Sequence, residues 1–458
     1  MLVIISDLHL TDGTSGTTIR EKAFRVLRQR LSDLAYDASY RKSGRYRPIK
    51  EVNLVLLGDI LDIIRSSAWL VEDESLRPWG DSSSRQYIEK VREINKGILK
   101  KNSKSFKVLK GLAQEGGLTI PPGTRGGKPD FQAERLSVPV RTYYLVGNHD
   151  WFYHLKGSDY DEIRRSVVEA MGLANPAGQP FPHDPGEDTD VAEKIGKIFS
   201  EHRVFARHGD IYDSFNYEPH NGRDHSSLGD AIVVELLNRF PKQVEDELGS
   251  ELPAEAVKGL REIDNVRPLT TIPAWIQGVM TSTVGDPGAV RKVKEVWDEL
   301  VDKFLEVPFV KSYDKPWQWD AVDSLEIGLK ISKGLSLGIL TKIALDSMSK
   351  IGGGEESYSK NALKEQAFRS RRADYIIYGH THHQEIVPLD QVFLGDRVSR
   401  QFYFNSGTWR RVFRLCTYSP EELEFLDYNV MTYLAFFKGD ERKGRPYESW
   451  TGTLAADP

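Results

Sequence analysis

Leu2-Val-Ile-Ile-Ser-Asp-Leu-His-Leu10 changes character halfway through. Its apolar, β-branched first half reads as a strand buried on both faces of a sheet, and the donors Asp7 and His9 begin where that strand stops. The same juxtaposition recurs along the chain. Val52–Leu57 leads into Gly58-Asp59 and Asp62, and Thr142–Val146 into Gly147-Asn148-His149-Asp150. Val204–Ala206 leads into His208-Gly209, and Tyr375–Tyr378 into Gly379-His380-Thr381-His382. A sixth run, Gln401–Phe404, ends in Asn405-Ser406-Gly407. A pattern as short as Gly-Asp recurs by chance, but polar blocks in this order, each just beyond an apolar run, are specific. Ligands of layered α/β folds gather beyond the carboxyl ends of the strands, so the blocks are expected to converge on one rim.

The donors define a chemistry. Asp7 and Asp59 offer carboxylates, Asn148 an amide oxygen, and His9, His208, His380 and His382 imidazoles. Mixed oxygen and nitrogen donors without thiolate suit Mn, Fe, Zn or Co and disfavour a sulfur-rich structural zinc site. The set is too large for one such ion. It suits two divalent ions about 3.5–4 Å apart that share a carboxylate and hold the attacking and leaving oxygens of an in-line displacement.

These blocks resemble the signature of the calcineurin-like metallophosphoesterase superfamily: Asp-x-His, Gly-Asp-x-x-Asp, Gly-Asn-His-Asp/Glu, His and Gly-His-x-His. The resemblance implies a four-layer α-β-β-α sandwich. It also implies one metal on Asp7, His9, Asp59 and His382, with Asp59 bridging to a second on Asn148, His208 and His380. His149 is then the catalytic histidine and Asp62, the last residue of Gly58-Asp-Ile-Leu-Asp62, orients it. The activity implied is hydrolysis of a phosphodiester or pyrophosphate through a metal-held hydroxide, with Mn²⁺ the leading candidate for the metal. Within the superfamily the motifs are nearest to bacterial UDP-2,3-diacylglucosamine hydrolases, through Ser6-Asp-Leu-His-Leu10, His208-Gly-Asp210 and Gly379-His-Thr-His382. The chain departs from those enzymes in its greater length and at His149, where they carry Arg. It departs from the protein-phosphatase branch at Ile63, where an Arg stands. A metal-dependent nuclease is the alternative. A scaffold that keeps the fold without turnover is disfavoured, because every ligand position holds a competent residue.

Composition sets bounds. The 458 residues allow one large α/β domain with insertions or two domains, and the 39% hydrophobic content supplies a sizeable core. A net charge of −5 gives no global attraction to nucleic acid or anionic membrane. With Cys416 alone, no internal disulfide can form. A strand starting at residue 2 leaves no room for a signal peptide, and no uncharged apolar run is long enough to span a bilayer. The expectation is a soluble cytoplasmic protein of unassigned oligomeric state, acting on a phosphate ester.

The catalytic domain is expected over residues 1–225 and 371–458, with an insert at 65–140 that includes a helix from Arg85 to Glu115. Residues 226–370 read as a mostly helical insertion, a candidate cap. Within it, Ala231–Phe240 is expected to stop at Pro241, and Ala289–Leu305 has helical apolar spacing after Asp286-Pro287. Leu325–Ile351 reads as buried helix, lid or membrane-surface contact, and Gly352–Gly354 as a connector. Around the rim, Arg223 and Arg410 are the candidate substrate-binding residues, since a guanidinium fork fits phosphate. His220, His225 and His383 are weaker candidates, and Trp151-Phe152-Tyr153 either wall the pocket or pack beneath it. The basic runs Arg41–Lys50 and Lys96–Lys110 read as solvated faces, so nucleic acid is possible but not favoured.

Overall fold

A computed structural model describes residues 1–267, 271–313, 329, 333, 335–342, 357–394 and 397–455. Gly352–Gly354 and most of Leu325–Ile351 lie outside the described residues. The chain is α/β. Strand β1 (Leu2–Ile5) leads through helix α1 (Glu21–Ala38) to β2 (Val52–Leu57), then to helices α2 (Arg85–Lys101) and α3 (Ser103–Ala113). A short hairpin, β3 (Thr119–Ile120) with β4 (Leu136–Ser137), precedes β5 (Val140–Leu145), α4 (Ser158–Met171), α5 (Asp190–Glu201) and β6 (Val204–Ala206). After the insertion come β7 (Tyr375–Tyr378), β8 (Gln384–Leu394), β9 (Arg397–Ser406), β10 (Trp409–Leu415), β11 (Phe425–Phe436) and β12 (Tyr447–Ala455).

The strands form two main sheets. In the first, β1, β2 and β5 are parallel, and β11 joins β1 antiparallel and carries β10 and β12. In the second, β6, β7 and β9 are parallel and β8 is an antiparallel edge. Alternation along the strands sends one set of side chains to each face. Leu2, Ile4, Val55 and Leu57 share an apolar cluster with Ala206, Tyr375, Ile377 and Phe404, so the sheets meet face to face. Val3, Ile5, Leu54 and Leu56 face the other way, into a cluster with Phe24 and Leu27 of α1, Phe106 of α3 and Val167 of α4. Burial on both faces explains why these strands carry no polar alternation.

Two local expectations need correction. The helix expected from Arg85 to Glu115 is two helices. Asn102 turns its amide back to the carbonyls of Ile98 and Thr11, both at 2.9 Å, and this side-chain competition with the backbone breaks the run. The helix expected to stop at Pro241 continues. After α6 (Leu228–Ile232) comes a π-helical turn, Val233–Asn238, and then α7, Arg239–Leu248, which contains Pro241. The wider turn gives the pyrrolidine ring room against the preceding carbonyls.

The described part of the insertion continues with α8 (Ala254–Leu260), α9 (Ile272–Thr283) and α10 (Pro287–Glu306). Asp286 caps α10 by accepting from the amides of Gly288 and Ala289. Phe240, Val244, Leu260, Met280, Val293, Leu300 and Phe304 form a separate apolar cluster that also includes Phe413 of β10. Polar contacts tie its first part to the segments that follow β1 and β2. Asn238 donates to the Ile64 carbonyl at 3.0 Å, Asn265 to that of Thr17 at 3.0 Å, and Arg65 Nε lies 2.9 Å from Asp264. No described helix is long and apolar enough to cross a membrane.

Candidate metal centre

The donors converge beyond the ends of β1, β2, β5, β6 and β7, as the strand–block order predicts. Five occupy backbone conformations that side chains avoid: Asp7 has φ of 54°, His9 44°, Asp59 54°, His380 68° and His382 60°. Such strain persists only where surroundings over-determine it. Here the loops hold each other. The Asp7 amide donates to the Gly58 carbonyl at 3.1 Å, the His9 amide to that of Asp59 at 2.9 Å, and the His380 amide reaches the Asp7 carboxylate at 3.1 Å. The glycines of the blocks are required by close approach. A Cβ on Gly379 would lie 2.6 Å from Asp7 Oδ2, and one on Gly147 would overlap Asp59 and His208.

Two groups of donors result. In one, His382 Nε2 lies 2.9 Å from His9 Nε2 and 3.4 Å from Asp7 Oδ1, and His9 Nε2 lies 3.7 Å from Asp59 Oδ2. In the other, His208 Nε2 is 3.2 Å from that same Asp59 Oδ2 and 3.1 Å from Asn148 Oδ1, which is 3.0 Å from His380 Nδ1. Asp59 therefore belongs to both. The Asp7-His9-His382 and Asp59-His208-His380 groups are each close enough to hold a metal ion.

The second ring atoms test the fit. A ligating imidazole needs its other nitrogen fixed as a donor. His9 Nδ1 meets Asp62 Oδ2 at 2.7 Å, His208 Nδ1 the Leu57 carbonyl at 2.9 Å, and His380 Nε2 Asp213 Oδ2 at 2.9 Å. Asn148 donates from Nδ2 to Asn216 at 3.2 Å, which turns its Oδ1 inward. His382 alone differs, because its Nδ1 faces Arg267 Nη2 at 3.1 Å. The residues fit divalent cations.

His149 stands beside both groups. Its Nδ1 meets Asp62 Oδ1 at 2.9 Å, and its amide donates to Asp59 Oδ1 at 2.9 Å. Asp62 thus steadies His9 with one oxygen and His149 with the other. Burial lowers the His149 pKa, but Asp62 and Asp59 outweigh it and lift it to about 10. His208 also rises to about 10, burial being overcome by Asp59. Burial raises Asp59, yet His208, His149 and His9 hold it far below the carboxylate range. Burial drops His9 to about 4 despite its bond to Asp62, and lifts Asp7 to about 6 against the pull of His208. Without cations, protons on the cluster offset its carboxylate charge.

The candidate substrate residues sit otherwise engaged. Arg223 is paired with Asp210 at 2.6 Å and Asp184 at 3.2 Å. Arg410 meets Asp264 at 2.5 Å and Asn265 Oδ1 at 2.9 Å. His220, His225 and His383 are exposed. Trp151, Phe152 and Tyr153 are buried, with Phe152 stacked on Trp69 at 6.0 Å, so they pack beneath the rim. Sequence reading missed Asp213, which carries no motif, and Arg267, which lies in the insertion far from His382 in sequence. Asp213→Ala is expected to weaken Mn²⁺ binding by about 10–100-fold, as loss of a ligand-orienting partner usually does. Titration calorimetry measures this, and unchanged affinity would deny Asp213 an orienting role.

A separate grouping that could hold an ion is His154, His183 and Asp224. His154 is held between Asp224 at 2.6 Å and Glu187 at 3.2 Å, and His183 meets Asp224 at 2.9 Å. Burial lowers the His154 pKa, but the two carboxylates raise it from 6.5 to about 9. Its folded value exceeds its unfolded one. The stabilisation is therefore fully present below pH 6.5 and is lost as pH rises through about 9. His154→Gln should cost about 1 kcal/mol near pH 6, screening by solvent included, and nearly nothing at pH 10. Urea melts of both proteins across this range check it, and a pH-independent gap would contradict the ion pair.

No family model and no curated protein matches this chain.

Proposed function

We propose that the chain is a dinuclear metal-dependent phosphoesterase of the calcineurin-like metallophosphoesterase superfamily. It has that superfamily's α-β-β-α sandwich and hydrolyses a phosphodiester or pyrophosphate. One observation carries this reading: seven oxygen and nitrogen donors form two groups that share Asp59, with a carboxylate-held imidazole alongside. Two divalent cations in such a site supply Lewis acidity, bringing water to a nucleophilic state near neutral pH and neutralising charge on phosphoryl oxygens.

The chain's own residues do the rest. His149, held on Asp62 through Nδ1, offers an N–H to the departing ester oxygen. Asp62 fixes the direction of that N–H through Nδ1, which leaves Nε2 to face the reaction. Rigid loop-to-loop hydrogen bonds hold the donors in place beforehand, so little reorganisation accompanies the reaction. The insertion's contacts at Arg65 and Thr17 hold Asp264 and Asn265 against the segments that follow β1 and β2. Hydrolysis of bis-p-nitrophenyl phosphate, dependent on added Mn²⁺ and abolished by a chelator, tests the reading. Failure of metal-replete protein to hydrolyse this ester, nucleotide sugars, cyclic nucleotides or short DNA would overturn it.

A further inference from the structure

Three segments distant in sequence bring nitrogen and oxygen donors to one point. His154 ends the turn Trp151–His154, His183 follows Phe181 and Pro182, and Asp224 lies between the turn Asp210–Tyr212 and α6. His154 Nδ1 lies 2.6 Å and His183 Nε2 2.9 Å from the same oxygen, Asp224 Oδ1, and the two ring centroids are 4.3 Å apart. None of these residues belongs to the groups around Asp59.

The surroundings hold those atoms in place. Arg164, fully buried, donates to the carbonyls of Tyr153 at 3.0 Å and Leu155 at 2.5 Å, on either side of His154. The Phe181 amide donates to the Tyr153 carbonyl and the Val146 amide to that of Pro182, each at 3.0 Å, which fixes the approach of His183. Behind His154, Nε2 meets Glu187 Oε2 at 3.2 Å. The other oxygen of Glu187 accepts from the amides of His183 at 2.8 Å and Asp184 at 3.0 Å. A carboxylate behind an imidazole whose other nitrogen faces the donor cluster is the arrangement that orients metal-ligating histidines. Hydrogen bonding leaves His183 incompletely used: it is only 4% exposed, yet its Nδ1 has no partner.

We infer that His154, His183 and Asp224 form a further divalent-cation site, suited to Zn²⁺, that ties the loop after Asn148-His149 to the segment after His208. Two imidazole nitrogens and a carboxylate oxygen are a donor set of zinc, with a remaining position left to water. The Asp224 side chain, 40% exposed, gives the ion a way in. A metal bond at Nε2 offsets the cost of burying His183 with Nδ1 unpartnered. Asp224 and Glu187 balance the charge of a divalent ion, while Arg223, next in the chain, is engaged by Asp210 at 2.6 Å and Asp184 at 3.2 Å. The cation and the His154–Asp224 ion pair use the same atoms, so a chelator leaves the pair and Zn²⁺ displaces it.

Zn²⁺ retained by the full chain after desalting is counted by elemental analysis for the wild type, His183→Ala and Asp224→Asn, and located in Zn²⁺-loaded wild-type crystals by anomalous scattering. Each variant is expected to hold one ion fewer per chain than the wild type, and the crystals to show a peak bounded by His154, His183 and Asp224. Glu187→Gln should keep the wild-type count in excess Zn²⁺ but bind that ion about 10–100-fold more weakly, as loss of an orienting carboxylate does. The one-ion difference should persist when the comparison is repeated in Asp59→Ala, so failure of the metal-centre reading leaves this test intact. Equal counts in the wild type, His183→Ala and Asp224→Asn, or no peak among the three residues, would overturn the site.

Discussion

Replacing His149 with alanine is expected to lower kcat by about 10²–10⁴-fold, the usual scale for a lost acid–base group, while Mn²⁺ uptake stays at the wild-type level. The imidazole is held from two sides. Nδ1 rests on Asp62 at 2.9 Å, and the backbone amide rests on Asp59 at 2.9 Å. The alanine variant keeps the second contact, so the loop and the Asp59 carboxylate stay where they are. Asp62→Asn should be less selective, because Asp62 also holds His9 at 2.7 Å and its loss disturbs a ligand as well as the acid. Steady-state kinetics together with elemental analysis distinguish these cases. Loss of metal from His149→Ala would identify His149 as a ligand, which its place near His9 and Asp59 permits geometrically.

The second large effect is at Asp59. Asp59→Ala should reduce metal content from two ions per chain to one or none and abolish turnover with it. The carboxylate reaches both groups: Oδ2 lies 3.7 Å from His9 and 3.2 Å from His208. Its oxygens are buried among imidazoles, and removing it takes away the one carboxylate that both groups share. Retention of two tightly bound ions after desalting would show that the groups do not depend on a shared carboxylate. Anomalous scattering from crystals of the metal-loaded protein locates whatever remains.

Much of this site was legible along the chain because its geometry is local to strand ends. Asp7 and His9 follow β1 within a few residues, and the same rule places Asp59, Asn148, His208 and His380. Gly147 and Gly379 stood in those blocks, but only the structure shows that a Cβ on either would overlap a donor. Helix boundaries were less legible. Asn102 and Pro241 act through a distant carbonyl and a widened turn, neither visible in apolar spacing. Arg223 and Arg410 looked suited to phosphate by type and position, but type says nothing about which carboxylate a guanidinium meets first.

The sequence by itself determined six core strands, the polar block after each and the kinds of donor atom. Those follow from continuous apolar runs, buried on both faces, and from side-chain chemistry, both properties of short segments. Only the tertiary structure decided the pairings across the rim. It brings Asp62, already expected at His149, to His9 as well, Asp213 to His380, and Arg267 to His382 across 115 residues. Those contacts depend on how the sheets meet and where the insertion docks. No local pattern encodes them, because the partners share neither a strand, a helix nor a turn.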